Sequence, residues 1–135
     1  MEAEIKMVKG ITTVGKSDSN HWVPMDGLKD FNGAEGANKP MELVLIALGG
    51  CTVMDVISIL TKMHQPFNGL GAKLSAEVSQ EHPKVFEKIK IKYIVEGEVD
   101  SEKLERAITL SRDRYCPISA MLSKTCPIDW EYEIQ

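Results

Sequence analysis

The sequence has few cysteines and no paired cysteine motif. Its 135 residues include only three, Cys51, Cys116 and Cys126, and no two of them form a Cys-x-x-Cys pair. An odd number at irregular spacing is not typical of a disulfide framework, in which cysteines come in even numbers. This excludes the class of small secreted domains held by disulfides and predicts a reducing, cytoplasmic compartment.

The chain also lacks concentrated positive charge. Its formal net charge is −4, and it has no block or helical stripe of lysine and arginine. Nucleic-acid-binding domains carry such a feature because they neutralise phosphates. No nucleic-acid partner is therefore expected.

Signatures of metals and cofactors are missing as well. His21, His64 and His82 show no ligand spacing with one another or with the cysteines, so zinc is not expected. The glycine-rich segment 27–36 lacks the strand–turn–helix context in which such loops bind phosphates. The sequence thus predicts neither a metal nor a cofactor.

No segment has the pattern of a signal peptide. The N-terminal MEAEIKMVKG alternates charged and apolar residues, whereas a signal peptide has a basic start and an apolar run. Segment 41–63 is about long enough to cross a bilayer, but Glu42, Asp55 and Lys62 lie within it. A helix in the core or at a subunit interface is favoured, and no membrane partner is expected.

The hydropathy pattern predicts one α+β domain over residues 1–135, with β segments at both ends and helices between them. Hydrophobic residues make up 43% of the chain, enough to bury a core. Residues 2–14 alternate and predict a strand that continues past Gly10. A turn at 16–20, a short strand at 21–25 and a loop at 27–39 follow.

The centre of the chain predicts a long helix. Pro40 suits the first helical turn, and the helix extends to about His64. Its apolar positions cover nearly all sides: Leu43, Val44, Ile46, Leu48, Val53, Val56, Ile57 and Leu60. A helix that is apolar all round must be buried all round. Because a domain of this size cannot cover it alone, a homodimer is predicted.

The remaining elements are predicted from alternation and from residues that start helices. They are strands at 74–78, 89–95 and 128–134, a helix from Asp100 or Ser101 to about Arg114, and a short helix from Cys116-Pro117 to about Lys124.

Cys126 and Cys116 have different sequence environments. Cys126 is in phase with the inward residues of the last strand, so it is interpreted as a small buried hydrophobe. Cys116 precedes Pro117 and follows Arg112 and Arg114. A thiol at a helix N-terminus near arginines has conditions that lower its pKa, and both a reactive and a structural role stay open.

Cys51 lies in the middle of the long helix. Gly49 and Gly50 precede it, and their expected use is to let another backbone or a substrate approach closely. Asp55 follows one turn later on the same face, where it could accept a proton or orient a donor. The alternative is an inert core cysteine.

Two motifs together carry a family resemblance. The run PMELVLIALGGCTVMDVISIL, followed further along by YCPISAMLSKT, resembles the OsmC/Ohr superfamily of thiol peroxidases. It is most similar to the small OsmC-like branch with the form P-x-E-L-L-x-x-A-L-G-G-C. The resemblance covers nearly the whole chain and implies an OsmC-like fold, in which β-sheets surround a long buried central helix within an intertwined dimer.

The resemblance implies reduction of organic hydroperoxides by two cysteines. Cys51 corresponds to the peroxidatic thiol, which becomes a sulfenic acid, and Cys116 to the resolving thiol, which forms a disulfide with it. An external dithiol reductant then restores both thiols. The alternatives are a redox sensor or small-molecule binding protein of the same fold without efficient turnover, and a structural role for all three cysteines.

The sequence departs from the family at the residue that activates the thiolate. The family pattern has an arginine in the N-terminal β region, held by a glutamate ten residues before the first cysteine. Here the first arginine is Arg106, position ten before Cys51 is Met41, and Glu42 is about half a helical turn out of phase. A cation that keeps the charge but loses the bidentate fork is available at Lys6, Lys9, Lys16 or His21. Slower catalysis than in arginine-containing relatives is expected.

Overall fold

The computed structural model describes all 135 residues, and contacts divide them into two compact units, Met1–Val44 and Leu45–Gln135. The elements in chain order are β1 (Ala3–Lys9), β2 (Thr12–Ser17), β3 (Val23–Met25), α1 (Pro40–Lys62), β4 (Gly69–Val78), β5 (Phe86–Glu96), α2 (Ser101–Leu110), α3 (Pro117–Leu122) and β6 (Ile128–Ile134). The predicted α+β class is confirmed, while a single domain over 1–135 stays a prediction.

The N-terminal unit contains a three-stranded antiparallel sheet in the order β1-β2-β3. The prediction of one strand through Gly10 was wrong, because the chain turns at Gly10 and Ile11 and Lys9 pairs with Thr12. Gly10 has a φ of +59°, which the first position of a two-residue type II′ hairpin turn requires. The predicted turn at 16–20 is shortened accordingly, since β2 extends to Ser17.

Asp26 organises the loop that follows β3. Its buried carboxylate accepts hydrogen bonds from the backbone N–H groups of Gly36, Gly27 and Ala34 and from the hydroxyl of Thr12. These bonds, led by that from Gly36, lower the pKa of Asp26 because they favour the charged form. One carboxylate therefore holds the glycine-rich loop in place.

The C-terminal unit has a sheet in the order β4-β5-β6, in which β5 pairs antiparallel with β4 and parallel with β6. Alternate side chains of β5 face the core, as the sequence pattern predicts: Ile89, Ile91, Tyr93 and Val95. Phe86 is also buried, but it lies beyond a register shift in the pairing with β4 and was not part of the predicted pattern. Burying each such side chain stabilises the fold by roughly 1.5–3 kcal/mol. The sheet thus supplies one wall of the core.

The opposite face of the same strands carries ion pairs. Three lysines of β5 pair with three acidic residues of β6: Lys88 with Asp129 at 3.0 Å, Lys90 with Glu131 at 2.6 Å and Lys92 with Glu133 at 2.5 Å. The sequence predicts that both sets face solvent. The parallel register that places them side by side was not predicted.

Helix α1 has two different faces within one chain. Leu48, Thr52, Val56 and Leu60 recur every four residues and are buried, so they form one stripe against the core. The opposite stripe includes Ile46, Met54 and Ile57, which are exposed. Only 28% of the most apolar 18-residue window is buried, although the helix is long and apolar enough to cross a membrane.

Gly49 lies on the side of α1 that faces β4. A Cβ at this position would lie 2.7 Å from Cδ1 of Leu74, whereas a Cβ at Gly50 would meet nothing within 4 Å. The close neighbour at Gly49 is therefore a side chain of β4, and not the backbone or substrate that the sequence predicted, while Gly50 belongs to the open face.

The C-terminal helices deviate slightly from the predicted bounds. Asp100 caps α2, accepting a hydrogen bond from the backbone N–H of Lys103 at 2.9 Å. The helix ends at Leu110 instead of about Arg114, and a π-helical turn, Ser111–Tyr115, leads into α3. Cys126 is buried as predicted, but it lies before β6 and not on that strand.

Candidate active site

The fold brings Cys51, Cys116 and Asp55 into one cluster. The two Sγ atoms and a carboxylate oxygen all lie within 4.8 Å of one another. Both thiols are free; Cys51 is half-buried and Cys116 is 2% exposed. The two cysteines that the family resemblance selects are thus neighbours, while Cys126 is outside the cluster.

Different elements position the members of this cluster. Cys51 and Asp55 are one turn apart on α1, so their side chains share a face. Cys116 is the N-cap of α3, with Pro117 at the first helical position. The backbone N–H of Ser119 donates to Sγ of Cys116 at 3.3 Å, which confirms the predicted N-cap position.

The pKa of Cys116 is raised, whereas the sequence suggested conditions that lower it. Burial raises the pKa of Cys116 to about 11, the neighbouring Cys51 raises it further in the same direction, and the bond from Ser119 only partly opposes this rise. Desolvation disfavours the thiolate more strongly than the backbone N–H groups of Ser119 and Ile118 favour it. Cys116 is therefore a protonated thiol at neutral pH.

A buried chain of hydroxyl groups ends at Asp55, and sequence reasoning missed it. Ser111 donates to Oδ2 of Asp55 at 2.9 Å, Thr52 lies 3.0 Å from Ser111, and Tyr93 lies 2.5 Å from Thr52. Each hydroxyl has one proton. Because the proton of Ser111 goes to Asp55, Thr52 must donate to Ser111 and Tyr93 to Thr52. The sequence signal was Thr52, a hydroxyl inside an apolar helix.

Comparisons with known proteins identify the family of the chain. The family model described as "OsmC-like protein" matches residues 33–131. The chain belongs to the OsmC family.

Several relatives of this OsmC family chain are similar over nearly its full length. Protein YhfA of Escherichia coli is 39% identical and covers 99% of this chain and 98% of its own. A hypothetical protein of Aquifex aeolicus has a TM-score of 0.84 at 32% identity, covering 99% and 96%. A protein of Legionella pneumophila, described as an organic hydroperoxide resistance protein, has a TM-score of 0.74 at 10% identity, covering 98% and 95%. The last likeness shows the OsmC fold alone.

The arginines closest in sequence to the second OsmC motif already have partners. Nε of Arg112 lies 2.6 Å from Oδ1 of Asp113, and the guanidinium of Arg114 lies 5.8 Å from the ring centre of Tyr115. Glu42 accepts a hydrogen bond from the backbone N–H of Lys39 at 2.8 Å, at the start of α1. Replacement of the family arginine by another cation stays a prediction.

A cavity of about 390 Å³ borders the cluster in this OsmC family chain. Its lining combines apolar residues with charged and polar ones: Ile59, Met63, Leu110, Asp55, Ser58, Lys62 and Tyr115. Apolar walls next to a polar group are typical of small-molecule sites. Asp55 is the member of the cluster that lines this cavity, and neither cysteine does.

Proposed function

We propose that this OsmC family protein is a cytoplasmic thiol peroxidase that reduces organic hydroperoxides through a Cys51–Cys116 disulfide cycle. The observation that carries the proposal is the approach of both Sγ atoms and the Asp55 carboxylate within 4.8 Å. A disulfide has an S–S length of about 2.05 Å. The two sulfurs therefore need to approach by less than about 3 Å for a sulfenic acid on one cysteine to react with the other, which side-chain rotation can supply.

The first step uses Cys51. Its thiolate attacks the terminal peroxide oxygen, an S–O bond forms, the O–O bond breaks, and the alkoxide takes a proton and leaves as the alcohol. Cys51 is then a sulfenic acid. Cys116 is unsuited to this step because its pKa of about 11 keeps it protonated, and the thiolate is the nucleophile.

The second step joins the cysteines. The sulfur of Cys116 attacks that of Cys51, the S–S bond forms, and hydroxide takes a proton and leaves as water. The thiol proton of Cys116 must be removed as this bond forms. We infer that Asp55 accepts it, because a carboxylate oxygen of Asp55 lies within 4.8 Å of the Cys116 sulfur and is hydrogen-bonded by Ser111. An external dithiol then reduces the disulfide by exchange.

We propose in addition that the active form is a homodimer. The exposed stripe of α1 includes Met54, which is 72% exposed, and Ile46 and Ile57. Contiguous exposed apolar surface on a helix of this length is typical of an interface. A second copy that covers this stripe would complete the burial of the central helix.

The second candidate is a redox sensor or small-molecule binding protein without efficient turnover. The observation that favours it is the lack of an arginine before Arg106, because a lysine does not reproduce the bidentate geometry of an arginine. A sensor would form the disulfide once and would not cycle with a dithiol.

The experiment that tests the function is a stoichiometric titration of the reduced protein with an organic hydroperoxide. Thiol counting should show the loss of two thiols, and peptide mapping should recover a Cys51–Cys116 disulfide with Cys126 still reduced. The Cys126→Ser variant serves as the control and should lose the same two thiols. A Cys116–Cys126 disulfide, or three thiols that survive the peroxide, would contradict the proposal.

A further inference from the structure

The Cys51–Asp55–Cys116 cluster has the composition of a metal site as well as of a redox centre. We propose that the reduced protein binds one zinc-like divalent ion through the two thiolates and the Asp55 carboxylate, and that the bound ion keeps the thiols out of the peroxide cycle. The binding requires only the observed geometry, whereas the inhibition rests on the proposed peroxidase function.

The spacing of the donor atoms suits such an ion. Zinc binds thiolate sulfur at about 2.3 Å and carboxylate oxygen at about 2.0–2.2 Å, which places tetrahedral sulfur ligands roughly 3.8 Å apart. The three donors already lie within 4.8 Å of one another. The distances between the donor atoms must shorten by about 1 Å or less. Rotation of the Cys51 and Asp55 side chains can supply this change, because both residues are only half-buried.

Further hydrogen bonds support two of the ligands. Ser111 donates to the carboxylate of Asp55 at 2.9 Å, and the backbone N–H of Ser119 donates to the sulfur of Cys116 at 3.3 Å. Outer contacts of this kind orient the ligands of metal sites and tune their affinity. Two of the three proposed ligands, Asp55 and Cys116, are therefore already oriented by hydrogen bonds from neighbouring residues.

The chemistry of the donors selects the class of ion. Two thiolates favour zinc or another soft ion over magnesium and calcium, which prefer oxygen ligands. Two thiolates and one carboxylate give a charge of −3 against +2, which leaves a net charge of −1, so no further anionic ligand is needed. A fourth position stays open for water beside the cavity that Asp55 and Tyr115 line.

The bound ion would compete directly with the redox reaction. Binding releases the thiol protons and involves no electron transfer, so removal of the ion restores both thiols unchanged. While the ion is present, each sulfur donates electron density to it, which slows attack on a peroxide. The ion also holds the two sulfurs roughly 3.8 Å apart, well beyond the S–S length of about 2.05 Å, so formation of the disulfide is slowed as well. The sequence did not predict this site, because ligand spacing was sought among residues close in sequence. The proposed ligands come from α1 and the start of α3, which are far apart in sequence.

The binding test is a competition titration of the reduced, metal-free protein with Zn²⁺ and a colorimetric chelator. One ion per chain is expected. Cys51→Ser and Cys116→Ser should each weaken binding by about 100-fold or more, and Asp55→Asn by about 10-fold to 100-fold. Cys126→Ser is the matched control and should bind like the parent. Binding that is unchanged in both the Cys51→Ser and Cys116→Ser variants, or that is lost in Cys126→Ser, would overturn the site.

A second measurement separates this inference from the proposed function. Cd²⁺ replaces Zn²⁺ as a probe, and the ultraviolet absorption of cadmium bound to thiolate should appear in the parent and be lost in Cys116→Ser, with no peroxide present. If this signal appears in a protein that lacks peroxidase activity, the metal site stands and the proposed function fails. If zinc-loaded protein forms the disulfide as fast as metal-free protein, the inhibitory role is overturned.

Discussion

Ser111 donates a hydrogen bond to Asp55 across 2.9 Å, and this contact ties the π-helical turn before Cys116 to the helix that carries Cys51. The backbone N–H of Cys116 in turn donates to the carbonyl of Ser111 at 2.8 Å. The serine therefore contacts both halves of the cluster, one through its side chain and the other through its backbone.

The Ser111→Ala substitution should impair both stability and resolution. Thr52 would lose its buried acceptor, so the free energy of unfolding should fall by about 1–3 kcal/mol. Asp55 would lose its orienting donor, so the disulfide should form more slowly from the sulfenic acid while the initial consumption of peroxide is unaffected. Rapid-mixing kinetics with separate detection of sulfenic acid and disulfide measures this difference.

The control for this substitution is Ser123→Ala. The hydroxyl of Ser123 is exposed and donates only to the carbonyl of Ala120 at 3.3 Å, so a change within about 0.5 kcal/mol is expected. Equal effects of the two substitutions on the resolution rate would rule out a specific role for the Ser111–Asp55 contact.

The raised pKa of Cys116 predicts a decrease in stability at alkaline pH. The folded thiol ionises at about pH 11, against an ordinary value of 9.0. Above the ordinary value the unfolded chain releases the proton while the folded chain keeps it, so this contribution to the free energy of unfolding falls as pH rises from about 9 to 11. Chemical denaturation across this range should show the decline, and it should be smaller in Cys116→Ser.

The thiolate absorbance gives an independent check of the same pKa. In the Cys51→Ser variant with Cys126 also replaced by serine, only Cys116 remains to titrate. Burial still raises its pKa, so the midpoint should stay above 9.0. A midpoint near or below neutral pH would mean that the N-terminal helix end dominates and that the assigned roles of the two cysteines are reversed.

The exposed stripe of α1 predicts that Met54→Glu weakens the dimer. A carboxylate buried at the interface without a partner opposes association by about 3 kcal/mol, which is roughly a 100-fold change in the dissociation constant. Sedimentation equilibrium at several concentrations measures it. Met121→Glu is the matched control because Met121 is also an exposed helical methionine, at 63% against 72%. A parent protein that sediments as a monomer would contradict the dimer.

Local patterns predicted most of the elements, whereas long-range contacts were not predictable. Pro40 marked the start of α1, and Cys116-Pro117 marked the start of α3, because caps and first turns depend on neighbouring residues. The alternation of β5 and β6 gave their inward faces. Gly10 was missed as a turn because its flanking residues continue the alternation of β1.

Only those parts of the candidate site that depend on local patterns were predicted. The motifs selected Cys51 and Cys116, and helical spacing added Asp55. The hydroxyl chain through Ser111 and Tyr93 joins residues from a π-helical turn and a strand, and no local pattern specifies which of them meet. The sequence suggested a lowered pKa for Cys116, and this direction was wrong. The cap position alone does not describe how deeply the packed structure buries the thiol.

The most direct test of the central claim is steady-state consumption of an organic hydroperoxide with a dithiol reductant, measured for the parent and three single cysteine variants. The parent and Cys126→Ser should show multiple turnovers, and Cys51→Ser should show none. Cys116→Ser should consume one equivalent of peroxide and stop as a sulfenic acid wherever the dithiol does not resolve it directly. Turnover by Cys51→Ser at the parent rate would contradict the proposed Cys51–Cys116 cycle, as would a parent that forms the disulfide once and does not cycle.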